Sequence, residues 1–303
     1  MSEPVLVLEQ VSKHFGSRRA LDGVSLSVPG GTVWGLIGPN GAGKSTTFNL
    51  LCGYLRPSAG RVRVAGRDPR APGSLKGVVG VLPQDAALPG ALTTGPLLTY
   101  LARLSGLERP EREARVALER VGLSEVWEVP PSSLSHGMAR RVGIAQALLG
   151  DPPVVLLDEP TSGLDPRVAA EVRSLLQRMR GPSTVLVSSH NLPELEAICD
   201  GAAILDRGHL LQAGTMAELT ARSAEFRIQV ARGDVPLQAI RALPGVEQAS
   251  LGTGGLLSVV VSPGAGASDA TLSATLRLLL DAGVQVTGVS QGQSLESRVL
   301  SLT

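Results

Sequence analysis

The run Gly38, Pro39, Asn40, Gly41, Ala42, Gly43, Lys44, Ser45, Thr46 limits the fold more than any other stretch of the chain. The apolar segment Val33-Trp34-Gly35-Leu36-Ile37 precedes it, and Phe48-Asn49-Leu50-Leu51 follows. That order is strand, glycine-rich loop, helix, with the spacing Gly-x-x-x-x-Gly-Lys-Ser of a phosphate-binding loop. Glycines let successive backbone N–H groups turn inward as an anion-binding nest. A helix opening near Lys44 adds the positive end of its dipole. In such a loop Lys44 reaches the β- and γ-phosphates, and the Ser45 hydroxyl ligates a magnesium ion. The chain has only two other lysines, Lys13 and Lys76, and this one falls at the required position.

With 303 residues the chain is long enough for a full core and two domains. A net charge of +1 gives no general attraction to nucleic acid or anionic lipid. Apolar residues make up 43% but aromatics only 2%, so the core must be built from Val, Leu, Ile and Ala. Cys52 and Cys199 have no His or Cys at metal spacing, and read as buried free thiols of a reducing cytosol. The N-terminus carries no signal pattern, and no apolar run is long enough to span a bilayer. If the chain acts at a membrane, another chain must supply the span.

Along the chain, Val5–Val11 and Val24–Val28 read as strands. Between them Phe15 is either a core residue or a face on which a nucleobase stacks. Arg61–Gly66 alternates as a half-exposed strand, and Val78–Leu82 reads as a buried one that ends at Pro83 and Gln84. Gln84 is a loop residue or a ligand contact at a strand end. Residues 88–150 turn helical, with Ser135 as the cap of a helix that is also a second possible anion site. Val154–Leu157 is a fully apolar central strand closing on Asp158 and Glu159. Such an Asp holds Mg²⁺ through water, and the Glu can act as general base. A further buried strand, Ser183–Ser189, ends at His190, whose place suits either a structural or a catalytic role.

A boundary is expected near residue 223. Beyond it, Phe226–Ala231, Leu237–Leu243, Val246–Leu251, Leu256–Val261, Leu272–Ala282 and Val284–Val289 give the order βαββαβ, a split-βαβ plan.

Taken together, these motifs resemble the ATP-binding subunit of an ABC transporter, over residues 5 to about 220. The resemblance implies an α/β P-loop NTPase of the ABC ATPase type (1–223), with a helical subdomain at about 88–150. A small ferredoxin-like α+β domain would occupy 224–303. It implies ATP and Mg²⁺ as cofactors. By position, Gly38–Thr46 binds nucleotide, Ser45, Gln84 and Asp158 hold Mg²⁺, and Phe15 stacks on adenine. Glu159 is the catalytic glutamate, Gln84 contacts the water, and His190 contacts the γ-phosphate. Ser162–Asp165 is the D-loop, and Ser135 and Gly137 reach the γ-phosphate of the other protomer.

The signature stretch departs from the family. Leu-Ser-Gly-Gly-Gln becomes Leu134-Ser135-His136-Gly137-Met138, which bears on hydrolysis geometry more than on binding. Ser294–Thr303 resembles the end of ATPases that serve exporters of the ABC-2 type for drugs, antibiotics or lipids. The implied partners are a second ATPase protomer and a separate integral-membrane permease, at the cytoplasmic face of the membrane, with no nucleic acid. The alternatives are a soluble ABC-type ATPase acting on nucleic acid or ribosomes, and a low-turnover ATP-binding regulator.

Overall fold

A computed structural model describes residues 3–86, 88–189, 191–220, 224–261 and 267–291, with Leu295 and Val299. His190 lies outside the described residues, as does Ser294–Thr303 apart from Leu295 and Val299. The chain divides into two compact units, Met1–Thr215 and Met216–Thr303. The split falls before the short helix Met216–Thr220, and the changed alternation of the sequence suggests a boundary near 223.

The first unit contains two sheets. Strands β1 (Pro4–Phe15), β2 (Arg18–Pro29) and β4 (Ala59–Val64) form an antiparallel sheet in the order β2-β1-β4. The two long strands run further than the apolar pattern suggests, because their polar ends pair across the tight turn at Gly16 and Ser17. Phe15 therefore ends a strand. The larger sheet joins β3 (Val33–Ile37), β5 (Val79–Leu82), β6 (Val154–Asp158), β7 (Thr184–Ser188), β8 (Gly201–Asp206) and β9 (His209–Thr215). Its order is β5-β6-β7-β3-β8-β9, parallel except for the last pair. Every residue of β3, β6 and β7 is buried, which is why these strands read as unbroken apolar runs. β5 is only half-buried before Leu82, because it is an edge strand.

Helices connect the strands. α1 (Lys44–Leu51) follows β3, and α2 (Thr94–Leu104), α3 (Pro110–Arg120) and α4 (His136–Ala147) lie between β5 and β6. α5 (Pro166–Arg178) and α6 (Leu192–Ile198) flank β7 in sequence. One apolar core runs from Leu6, Leu8 and Leu26 of the antiparallel sheet through Phe48 and Leu51 of α1 to Leu156 and Leu186. This packing fixes α1, and hence the loop before it, against both sheets.

The second unit begins with α7 (Met216–Thr220). Strands β10 (Ala224–Arg232), β11 (Val246–Leu251), β12 (Leu256–Val261) and β13 (Gln285–Gln291) follow, with α8 (Leu237–Arg241) and α9 (Ala267–Asp281) between them. All neighbouring pairs are antiparallel, in the order β11-β12-β10-β13, which is the split-βαβ arrangement. Its own core packs Phe226, Ile228, Leu257, Val259 and Leu279 together.

Gly80 shows how tightly β5 meets α4. A Cβ there would collide with the carbonyl oxygen of Ala147. Gly80→Ala is expected to lower stability by about 1–3 kcal/mol through overpacking, read from the urea midpoint of the full chain.

Candidate functional site

Parallel pairing brings the carboxyl ends of β3, β6 and β7 together, with Asp158 opposite Ser188 in register. Ligands of open α/β sheets bind at such ends. The phosphate loop leaves β3 here and passes so close to β8 that a Cβ on Gly38 would strike the carbonyl oxygen of Leu205. Gly43 has φ 109°, and a Cβ there would sit 2.6 Å from Leu21 Cδ2. α1 starts at Gly43 with no side-chain cap, so its first N–H groups have no side-chain partner. The Lys44 ammonium donates to the carbonyl oxygens of Gly38 at 2.6 Å and Pro39 at 3.1 Å. Burial pulls its pKa below the usual lysine range, while Glu159 and Asp158 act in the opposite direction.

The cleft in front of this loop measures about 420 Å³. Its lining includes Lys44, Ser45, Thr46, Gln84, Asp158 and Glu159, as well as Asn40, Gly41 and Gly43. Lys44, Ser45, Gln84, Asp158 and Glu159, all singled out from sequence, therefore meet in one space.

The carboxylates are held from behind. Asp158 is only 5% exposed and accepts a short hydrogen bond from the Ser188 hydroxyl. The Glu159 N–H donates to both the hydroxyl oxygen, at 3.0 Å, and the carbonyl, at 3.2 Å, of Ser188. Glu159 has φ 54°, a left-handed conformation that costs a non-glycine residue about 1–3 kcal/mol. The Arg140 guanidinium lies behind this turn. Its Nη2 donates to the carbonyls of Asp158 and, at 2.8 Å, Glu159, and its Nη1 donates to those of Pro83 at 3.1 Å and Gln84 at 3.0 Å. Burial lowers its pKa, opposed by Asp158, Glu159 and Asp85, yet a guanidinium remains charged.

Phe15 is 48% exposed, so it is not a core residue. The Lys13 ammonium lies 5.0 Å from its ring centroid. Across the turn, Phe15 pairs with Arg18, and Arg18 enters the cleft beside Gly41. Ala42 is buried, and its N–H donates to the Pro39 carbonyl at 3.1 Å, which closes the loop.

Ser135, Gly137 and Asp165 are not part of the cleft lining. The Ser135 hydroxyl caps α4, accepting from the Met138 N–H at 3.2 Å. Asp165 caps α5, accepting from the N–H groups of Arg167 and Val168. The His136 ring packs on the D-loop, with Nε2 2.8 Å from where a Cβ on Gly163 would stand. His190 lies outside the described residues, but its flanks are fixed: Glu194, 8% exposed, accepts from Thr161 Oγ1 at 2.9 Å, Arg173 at 3.3 Å and Ser189 Oγ at 3.5 Å.

Arg18, Arg140, Ser188 and Glu194 were not singled out from sequence. Arg18 could have been found from its place three residues after Phe15, on the return of a hairpin. The others become visible only when β6, β7 and α4 are assembled, because their partners are backbone atoms or residues distant in sequence.

The fold and cleft define a nucleoside-triphosphatase of the P-loop class. Residues 21–162 match the family model "ABC transporter". The daunorubicin resistance ATP-binding protein DrrA3 of Streptomyces coeruleorubidus is 38% identical over 76% of this chain and 74% of its own. The linearmycin resistance ATP-binding protein LnrL of Bacillus subtilis is 34% identical over 72% of this chain and 71% of its own. The methionine import ATP-binding protein MetN of Caulobacter vibrioides is 38% identical over 80% and 76%. A solved ATP-binding subunit of an ABC transporter superposes with TM-score 0.66 at 29% identity, over 71% of this chain and 91% of that one. The chain belongs to the ABC transporter family, as an ATP-binding subunit with ATPase activity.

Cys52 lines the groove beside the cleft, and burial pushes its thiol up to about 12. Cys199 is shifted in the same direction, also by burial. A raised pKa leaves the thiol protonated and poorly nucleophilic at pH 8. Iodoacetamide at pH 8 is therefore expected to leave both cysteines unmodified in the folded chain and to alkylate both in urea, as read by intact mass.

Proposed function

We propose that the chain hydrolyses ATP to drive a membrane exporter, and that ATP-driven closure of two protomers is the power step. The observation that carries this reading is the single cleft lined by Lys44, Ser45, Gln84, Asp158 and Glu159.

In this reading the loop N–H groups and Lys44 bind the phosphates, with Arg18 as a further cation, while adenine stacks on the open face of Phe15. Ser45, Gln84 and Asp158 offer only oxygen donors, which suits a hard ion such as Mg²⁺. Among the described residues no group of three His, Cys, Asp or Glu side chains could hold a metal. An ion with few protein ligands would complete its shell with phosphate oxygens and water, as Mg²⁺ does. When bound, Mg²⁺ would neutralise charge between the β- and γ-phosphates. Glu159 takes the proton of the attacking water, and Gln84 and His190 orient water and γ-phosphate.

Ser135, Gly137 and Asp165 act across the dimer, which fits their position off the chain's own cleft. The Ser135 cap would give its hydroxyl to the partner's nucleotide. His136 lies on Gly163 in its own protomer, which supports a signature helix able to meet that nucleotide. One solved relative, the cassette MJ0796, is a dimer with ADP and phosphate bound; at 24% identity and TM-score 0.64 over 70% of this chain and 98% of that one, it speaks for the fold alone.

Among the described residues no helix is long and apolar enough to cross a membrane. The permease would dock beside Gln84 and residues 88–105, where Tyr54 is 70% and Tyr100 53% exposed. Export is favoured by the resistance proteins DrrA3 and LnrL, and MetN marks import as the rival direction. Residues 224–303 would serve as a ferredoxin-like accessory domain.

Lys44→Ala is expected to abolish binding of a fluorescent ATP analogue; micromolar affinity in that variant would refute the loop's role. Glu159→Gln is expected to bind ATP within about threefold of wild type but to turn it over about 10²–10⁴-fold more slowly. Unchanged turnover would remove Glu159 as the base.

A further inference from the structure

We infer that Arg140 is a positioning residue that locks the backbone of Gln84 to that of Glu159, so that water-orienting group and base hold one spacing. It rests on the reading of these two residues given above.

A single guanidinium donates to four carbonyl oxygens on two segments. Nη1 serves Pro83 and Gln84, and Nη2 serves Asp158 and Glu159. Gln84 follows edge strand β5, and Glu159 follows β6, so strand pairing ends just before each residue. The ladder stops at Leu82 and Leu157, and beyond it Arg140 bridges the two turns. Its planar fork can span both at once, which a lysine ammonium, a point donor, cannot do.

The residue is only 9% exposed, so water does not compete strongly for these bonds. Nη2 binds the carbonyls on both sides of the Glu159 Cα and so holds its left-handed turn, while Ser188 holds the N–H. A carboxylate on a left-handed residue needs such support to keep one orientation. The hydrogen bonds of Nη1 and Nη2 all end on backbone oxygens, and the buried Nε has no hydrogen-bond partner.

Its place on α4 adds a second consequence. The same helix opens with Ser135 as its cap and carries Gly137 in its first turn. Arg140 lies about 7–8 Å along the axis from Ser135, with no break in the helix between them. One unbroken helix thus ties the residues proposed to meet the partner's nucleotide to the backbone of Gln84 and Glu159 in the same protomer.

Steady-state ATP turnover of the full chain, with binding of a fluorescent ATP analogue, tests this in Arg140→Met and Arg140→Lys. The expected result is a kcat at least tenfold lower in Arg140→Met, with KM and nucleotide affinity within about threefold of wild type. Arg140→Lys, which keeps charge and length, is expected to regain part of that loss. A kcat within twofold of wild type in Arg140→Met overturns the inference. Equal loss of affinity and kcat also overturns it, because that marks a general structural role. If Arg140→Met does not fold, Arg140→Lys decides: at least a threefold fall in kcat at unchanged KM supports the lock, and a wild-type kcat overturns it. Absence of turnover in the wild-type chain refutes the hydrolytic reading itself, and the inference with it.

Discussion

Parallel pairing of β3 with β7 and of β7 with β6 is the constraint on which the site depends. It places the ends of three buried strands side by side and sends the phosphate loop, Asp158 and the Ser188 hydroxyl toward one cleft. Connections between parallel strands must cross over, so helices cover the sheet and its strands become apolar throughout. The polar groups that remain are concentrated at the strand ends. There, charges of both signs line one cleft: Lys44 and Arg18, and Asp158 and Glu159. In the proposed reading a triphosphate with a divalent cation complements both.

Much of the site's rigidity comes from bonds to backbone rather than between functional side chains. Lys44 is anchored on loop carbonyls, Glu159 on Ser188 and Arg140, and Asp158 on the Ser188 hydroxyl. Groups fixed in this way lose little freedom when substrate binds, which is how preorganised sites stabilise developing charge. Glu194 does the same for the loops on either side, joining Thr161, just before the D-loop, to Ser189.

The fold of the first unit was largely legible from sequence because its strands are apolar without interruption and its loop is chemically explicit. The sequence also singled out Lys44, Ser45, Gln84, Asp158 and Glu159, which line the cleft, but not Arg18, which lines it too. It did not show how those residues are supported. Arg140 reads as one of two adjacent arginines on a small-residue helix, and only assembly shows it buried against four carbonyls. Ser188 reads as a strand end until its hydroxyl is seen on Asp158. Strand lengths were underestimated at β1 and β2 because Ser12–Phe15 and Arg18–Arg19 are mostly polar and extend the strands without being buried. β5 looked like an interior strand because apolar composition does not distinguish an edge whose outer neighbour is absent.

Ser135, Gly137 and Asp165 lie off the chain's own cleft, and in the proposed reading a second protomer's copies of them complete its nucleotide site. Sedimentation velocity of the Glu159→Gln protein, with its membrane partner in detergent and without it, tests that requirement most directly. A shift from monomer to dimer with Mg²⁺ and ATP, but not with ADP, is the expected result. A strictly monomeric protein under both conditions at high concentration would contradict it.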